Sequence, residues 1–252
     1  MNTLMNLPRL VFAISLVVLW LSANVGAFFG QRLRPLEEKQ REYFGVVQAA
    51  ILTLLALLIG FTFSMAVSRY DQRKNYEEAE ANAIGTEYVR ADLLPAPDAA
   101  RVRELLTSYL DQRISFYTTR DEHQLEHINS STAQLQTELW STVRAPAVTS
   151  PTQVIALAVS GMNDVLNSQG YTQFAWRNRI PVAAWGLMIA IAIVCNLMIG
   201  YGARKGRYLF LVLPFAVSIS FFLIADIDSP RRGLIRVTPQ NLASLSQSLQ
   251  AH

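Results

Sequence analysis

The chain has 252 residues, of which 51% are hydrophobic and 16% are charged, and its formal net charge is +3. A soluble protein of this size usually carries about a quarter charged residues, so the composition favours a membrane protein. The positive charge lies mostly beside apolar stretches, which favours lipid headgroups over nucleic acid as its partner, and the single cysteine, Cys195, excludes a disulfide framework.

Four uncharged apolar stretches are each about long enough to cross a bilayer as a helix. They cover about residues 10–30, 44–67, 180–202 and 208–225. The first exceeds the core of an ordinary signal peptide, so we interpret it as an uncleaved span, although Ala23 and Ala27 would permit cleavage. Short connections, including residues 203–207, join the spans into two transmembrane hairpins over residues 1–68 and 180–228.

The polar segment 69–179 between the hairpins predicts an extramembrane helical domain. The second span has no helix breaker after it except Gly85, so we expect it to continue as one long helix to about Pro95. Further helices are indicated by apolar residues at helical spacing. Those residues are Val102, Leu105, Leu106, Tyr109 and Leu110, then Leu125, Ile128, Leu135 and Leu139.

The stretch SPTQ predicts the start of another helix, with Ser150 as its N-cap, running towards Gly170. We predict connections at residues 129–132 and 144–149 and a C-terminal tail over 229–252. The predicted fold is therefore all-α, with four transmembrane helices and a helical domain between the second and the third.

Basic residues flank the spans in similar numbers on both sides, so the positive-inside rule leaves the orientation open. Arg32 and Arg34 after the first span outweigh Arg9 before it, so the first span alone favours its C-terminal flank inside, on the side opposite the domain. With nine flanking basic residues on the domain side and seven on the other, we give a slight preference to a cytoplasmic domain. The sequence predicts a protein integral to the cell (inner) membrane.

Several long motifs resemble the bestrophin-like family of bacterial and plant membrane proteins. The motifs are Gly60–Ala66, Arg69–Asp71, Glu80–Thr86, Asn178–Pro181 and Asp226–Val237. The resemblance covers nearly the whole chain, more loosely in residues 98–150. It implies a remote relation to bestrophins, which are pentameric four-span anion channels whose second helix lines the pore. The chain lacks the acidic cluster of their calcium clasp, so the resemblance does not extend to calcium gating.

The second span offers a candidate pore lining. Leu55, Ile59 and Phe63 recur every four residues on one face, and an oligomer could bring them together as apolar rings that gate by dewetting. Thr62 and Ser64 would add hydroxyl groups at a similar depth. The alternative is ordinary transmembrane packing of apolar and small residues.

A mixed charge run follows the second span. It comprises Arg69, Asp71, Arg73, Lys74, Glu77, Glu78 and Glu80. We expect either a solvated helix crossing the headgroups or a charged vestibule that concentrates ions. The mixed sign favours neither anions nor cations.

Two aspartates, Asp226 and Asp228, end the fourth span, although the last turn of a helix is its negative end. Arg231 and Arg232 follow, and Arg69 and Arg73 are expected on the same side. The sequence therefore predicts a charge cluster at the mouth of the pore, in which Asp226 pairs with an arginine. The alternative is a site for a cation or substrate.

The stretch HQLEH, from His123 to His127, matches an inverted zinc-protease pattern. A third ligand would have to come from Asp121, Glu122 or Glu138, because His252 is the only other histidine. The polar surroundings favour two exposed histidines instead. We predict no catalytic residues, no metal and no cofactor, and the spans lack the paired carboxylates of proton-coupled transport.

These features predict a homo-oligomeric ion channel for small inorganic ions, with the second span lining the pore. The pentameric state is implied by the resemblance alone. The alternative is a non-conducting membrane sensor or scaffold whose helical domain binds a partner.

Overall fold

A computed structural model describes residues 7–32, 38–202 and 209–250. The predicted connection at 203–207 and the residues Arg34, Tyr208 and His252 lie outside these ranges. The chain divides into two compact units. A first unit comprises Met1–Arg69 with Arg179–Arg236, and a second comprises Tyr70–Asn178 with Val237–His252.

The first unit is built from long apolar helices. Helix α1 is Pro8–Arg32, α2 is Glu38–Arg90, α6 is Val182–Gly202 and α7 is Leu209–Asp228. Four helices of the described chain are long and apolar enough to cross a membrane, which confirms the four predicted spans. In hydrocarbon a helix satisfies its own backbone groups, so uncharged stretches of this length fold in this way. Helix α2 supplies residues to both units.

Helix α1 packs closely on α6 through glycines. A Cβ atom added at Gly26 would collide with the carbonyl oxygen of Leu197, and one added at Gly200 would collide with that of Ala23. Small residues permit such backbone approach, which supplies the van der Waals contact that holds helices together in lipid. Helix α7 also packs against α1.

The second unit is a helical bundle with its own apolar core. After α2, a 3₁₀ turn at Ala91–Leu93 leads into α3, Ala96–Thr118. The bundle continues with α4, Glu122–Thr149, with α5, Gln153–Arg177, and with the C-terminal α8, Gln240–Gln250. Fully buried members of the core include Ile84, Val102, Leu106, Leu139, Met162 and Leu242.

Three local predictions for this bundle were wrong. The predicted connection at 129–132 is helical, because the neighbouring Ile128 is buried in the core, and the Ser130 and Thr132 hydroxyls donate to carbonyls one turn back within the helix instead of ending it. The predicted connection at 144–149 also belongs to α4. The N-cap of α5 is Thr152, whose hydroxyl accepts from Ile155 N–H at 3.1 Å, rather than Ser150.

The C-terminal segment is also more ordered than a tail. Residues 240–250 form α8, and its Leu242 is fully buried in the core of the second unit. Residues 229–236 belong to the first unit.

The glycine contact gives a test of the membrane packing. We expect Gly200→Ala to lower the Tm of the detergent-solubilised protein by about 2–10 °C, because the new methyl group collides with α1 backbone. Gly186→Ala on the same helix is the matched control, since nothing lies within 4 Å of its added Cβ. Equal Tm values for the two variants would contradict the close packing.

Candidate functional site

The membrane part of α2 has a packed side and an open side. Leu55, Thr62 and Ala66 are 2%, 5% and 0% exposed, so their common side is buried by the chain itself. At 3.6 residues per turn, the opposite side is marked by exposed residues at Thr53, Leu57, Gly60 and Ser64. We call these four residues the open line of α2.

The predicted constriction residues do not share one environment. Leu55 lies on the packed side, Ile59 is half-buried and Phe63 is 39% exposed. A side chain buried by its own chain does not also line a wet axis, so Leu55 is removed from the predicted lining. Ile59 and Phe63 remain predictions.

The two predicted hydroxyl groups also differ. The Thr62 hydroxyl is buried and donates to the carbonyl of Leu58 at 2.7 Å, within its own helix. Ser64 is exposed on the open line. Of the pair, Ser64 is therefore the one available to a solvated path.

The structure gives Asp226 a different partner from the predicted arginine. Its carboxylate accepts from the backbone N–H groups of Leu234 and Ile235, at 2.7 and 2.8 Å. The segment after α7 thus folds back over the helix end, and an added Cβ at Gly233 would collide with the Asp226 carbonyl. The carboxylate is 2% exposed, and these two amides explain why it is tolerated at a helix C-terminus.

Asp228 ties the same turn to the start of α6. Its two carboxylate oxygens both lie 3.3 Å from the backbone N of Ile180. The guanidinium of Arg179 lies 3.9 Å from this carboxylate and also donates to the Asp228 carbonyl. Burial lowers the pKa of Arg179, and Asp228 opposes that effect.

The remaining members of the predicted mouth cluster have separate environments. In the first unit Arg69 and Arg231 are half-buried and Arg232 is exposed. In the second unit Asp71 is exposed, whereas Arg73 is 1% exposed and donates from Nε to the carbonyl of Ala175 at 3.3 Å. The mouth cluster as a whole remains a prediction.

Charged residues also line the buried side of α2 in the second unit. Arg73, Glu77, Glu80 and Glu87 are each 0–1% exposed. Three of them, Arg73, Glu77 and Glu80, belong to the predicted charge run, and neither a solvated helix nor a vestibule describes these three, so that part of the prediction was wrong. Their spacing continues through Ile84 and Ala91 on one helical face, and this alignment with apolar core positions was the sequence signal that could have identified them.

Glu80 is the centre of a buried polar site. Its carboxylate pairs with Arg113 of α3 and accepts from the hydroxyls of Tyr117 at 3.2 Å and Thr172 of α5 at 3.1 Å. The Arg113 guanidinium also lies 4.4 Å from the ring centroid of Phe116, in cation–π contact. Burial raises the pKa of Tyr117, so its hydroxyl remains a donor.

Glu77 fixes the C-terminal helix. It accepts from the side chain of Asn241 at 2.6 Å and from the backbone N–H of Leu242 at 3.0 Å. A carboxylate is favoured at a helix N-terminus, where backbone N–H groups lack partners within the helix. This contact explains why α8 packs into the bundle.

The histidines of the zinc-like stretch have a simpler role. His123 and His127 are exposed, and Asp121 is the N-cap of α4, accepting from the backbone N–H of His123 at 3.1 Å. Within residues 7–32, 38–202 and 209–250, no group of three or more acidic, histidine or cysteine side chains is arranged to hold a metal ion.

The sequence model of the family described as "Bestrophin-like domain" matches residues 10–242 of this chain. The chain belongs to the bestrophin-like family. Its fold is similar to a crystal structure of a mutant bacterial bestrophin homologue from Klebsiella pneumoniae, with 12% identity, a TM-score of 0.67, and coverage of 95% of this chain and 98% of that chain. Another crystal structure of the Klebsiella pneumoniae homologue gives 11% identity, a TM-score of 0.67, and coverage of 95% and 97%. No curated protein matches the chain.

Two motifs of this bestrophin-like chain now have structural roles. Asp226–Val237 contains the turn that caps the end of α7 through Asp226 and Asp228. Glu80–Thr86 supplies the buried carboxylate of Glu80 and the fully buried Ile84. Both motifs therefore supply contacts that stabilise the fold.

The Glu80 site predicts a large loss of stability on disruption. We expect Glu80→Gln to lower the unfolding free energy by about 3–5 kcal/mol, because it leaves Arg113 buried without its counter-charge. Thermal and denaturant unfolding would measure the change. Glu138→Gln is the control, since its ion pair with Arg101 is exposed and we expect no measurable shift. Equal effects would contradict the role of burial.

The Asp226 cap predicts a separate effect. We expect Asp226→Ala to lower the unfolding free energy by about 1–3 kcal/mol, because the amides of Leu234 and Ile235 lose their acceptor. The exposed Asp71→Ala should have a much smaller effect on the same unfolding curve. A cap variant as stable as the wild type would show that these amides find another acceptor.

Proposed function

We propose that this protein is a non-enzymatic, homo-oligomeric ion channel of the cell membrane in which the open line of α2 faces a central axis. The observation that supports it is that the membrane part of α2 is buried on one side and exposed on the other. One side is packed within the chain, and the other presents Thr53, Leu57, Gly60 and Ser64 without cover from the same chain. Membership of the bestrophin-like family supports the channel class.

Ring symmetry indicates that the pore-lining residue should be sought in the middle of the exposed side of α2. In a closed ring, each α2 contacts a neighbouring copy on either flank, and the centre of its uncovered face points to the axis. Phe61 and Phe63, 61% and 39% exposed, lie towards opposite flanks of that face. Leu57 lies near its centre and is 51% exposed. We therefore propose Leu57 as the narrow apolar position, with Phe63 and Ile59 retained as candidates beside it.

The chemistry of the open line suits a weakly selective path. Thr53 and Ser64 supply hydroxyl groups, which can replace part of an ion's hydration shell, and the Thr53 hydroxyl already donates to Ala49 at 2.9 Å. Residues 44–67 contain no charged side chain. The path therefore offers no fixed charge that would select small inorganic anions over cations.

A partner-binding scaffold is the second candidate. Helix α5 exposes four large apolar side chains in two pairs, one near each end of the helix, and exposed apolar surface of this kind is a feature of interaction sites. They are Val154, Leu157, Tyr171 and Phe174. In the channel proposal a neighbouring copy covers them, and in the scaffold proposal a different protein does. Pentameric assembly and a cytoplasmic position of the helical domain also belong to the channel proposal.

The pore lining can be tested by cysteine accessibility during bilayer recording. The only native cysteine, Cys195, is buried, so Cys195→Ala provides a background with a single introduced thiol. We expect a charged, membrane-impermeant thiol reagent to change the current at least several-fold in Leu57→Cys and Ser64→Cys channels, because the modified residue occupies the path.

Two positions on the same helix serve as controls. Leu55→Cys is buried and Leu54→Cys, 45% exposed, lies off the open line, so neither should respond to the reagent. Phe63→Ala measures whether that ring adds to the constriction. Reconstituted oligomer that conducts no current would favour the scaffold, and a response at Leu54 equal to that at Leu57 would refute the proposed lining.

A further inference from the structure

Glu87 is the buried carboxyl group that the second unit leaves without a hydrogen bond. It is 0% exposed, and within the described part of the chain neither carboxylate oxygen has a donor within hydrogen-bonding distance. Glu80, two turns earlier on the same face of α2, has three side-chain partners. The contrast singles out Glu87, because a buried charge without donors is strongly unfavourable.

The backbone of α5 closes directly over this carboxyl group. A Cβ atom added at Gly161 would collide with Oε2 of Glu87 and would lie 2.6 Å from Nη1 of Arg90. Glycine at this position is therefore what allows α5 to approach α2. The enclosed space leaves Glu87 little room to move towards solvent while α5 remains packed.

The charged groups around Glu87 do not neutralise it fully. Arg90, on the next turn of α2, attracts the negative form, whereas Asp164 of α5 repels it. Asp92 of the 3₁₀ turn pairs with Arg103 of α3. Helix α8, which contacts α2 at Gly85 through Leu245, contains no titratable side chain.

These surroundings favour the protonated form at neutral pH. Burial raises the pKa of Glu87 to about 8, an effect that Arg90 reduces and Asp164 increases. In the unfolded chain the same group has an ordinary carboxyl pKa near 4.5. The folded protein thus holds a proton that the unfolded chain has released.

We propose that Glu87 is a proton-operated switch in the extramembrane unit: its neutral carboxyl group allows α5 to pack on α2 at Gly161, and release of the proton to solvent at alkaline pH loosens that contact. The ionised carboxylate then needs donors, which it gains only from water or from a rearranged Arg90. This inference concerns the second unit and does not depend on ion conduction.

Linkage fixes the sign of the pH dependence. The stabilisation by the neutral form is fully present below pH about 4.5 and is lost as the pH rises towards about 8. Within that window the folding equilibrium constant should fall by up to about tenfold per pH unit from this group alone. Glu87→Gln, which imitates the neutral carboxyl group, should remove this contribution.

Infrared spectroscopy and hydrogen exchange on the purified full-length protein test the switch. We expect a protonated-carboxyl C=O band at pH 7 that disappears on titration to about pH 9 and is absent in Glu87→Gln. Over the same titration, amide exchange in α5 around Gly161, corrected for its intrinsic pH dependence, should rise at least several-fold in the wild type and not in Glu87→Gln.

Two further variants keep the test decisive. Glu78→Gln, exposed on the same helix, should leave both signals as in the wild type. Asp164→Asn, also at the surface, removes the repelling charge and should move the titration midpoint to lower pH. A wild-type spectrum at pH 7 without a band assignable to Glu87, or an exchange increase that persists in Glu87→Gln, would overturn the proposal.

Discussion

A carboxylate removed from water must be matched by donors or lose its charge, and this constraint organises the second unit. Helix α2 buries Glu77, Glu80 and Glu87 along one face, and each meets the constraint differently. Glu77 takes its donors from the start of α8, more than 160 residues later in the chain, and Glu80 takes its donors from α3 and α5. Each contact specifies which remote helix packs there, so the polar groups determine the arrangement while apolar burial supplies most of the stabilisation.

The same constraint explains the end of the fourth span. Asp226 and Asp228 stand where the helix dipole disfavours negative charge, yet both are buried. Backbone amides stabilise both, because residues after α7 turn back over Asp226 and because Ile180, just before α6, lies beside Asp228. Asp228 also has the guanidinium of Arg179 nearby. An amide held by a turn is fixed in place without the loss of side-chain entropy that ordering an arginine would require. The two aspartates therefore define the geometry of the turn.

The membrane part of the fold could be predicted because it depends on one local property, an uncharged length sufficient to cross hydrocarbon. The all-α class and the four spans follow from that property. The buried face of α2 could not be assigned as readily, because Glu77, Glu80 and Glu87 have the composition of a solvated helix and their donors come from segments distant in sequence. The prediction placed a connection within helix α4 at Ser130 and Thr132, because the local propensity of these residues disfavours helix. In the structure the helix continues there, because Ile128 packs in the core.

For the candidate pore lining of α2, sequence periodicity does not identify which face of the helix lines the pore. A span that is apolar on every side gives no contrast by which to choose a face, so Leu55, Ile59 and Phe63 were as suitable as any other set at the same spacing. Packing supplies the missing contrast, because it buries Leu55, Thr62 and Ala66 and leaves the opposite side uncovered. Gly60 on that uncovered side has nothing within 4 Å of an added Cβ, unlike Gly26 and Gly200, whose lack of a side chain is explained by contact within the chain. The packing within the chain therefore accounts for Gly26 and Gly200, and Gly60 lies on the side that the channel proposal assigns to contact with the central axis.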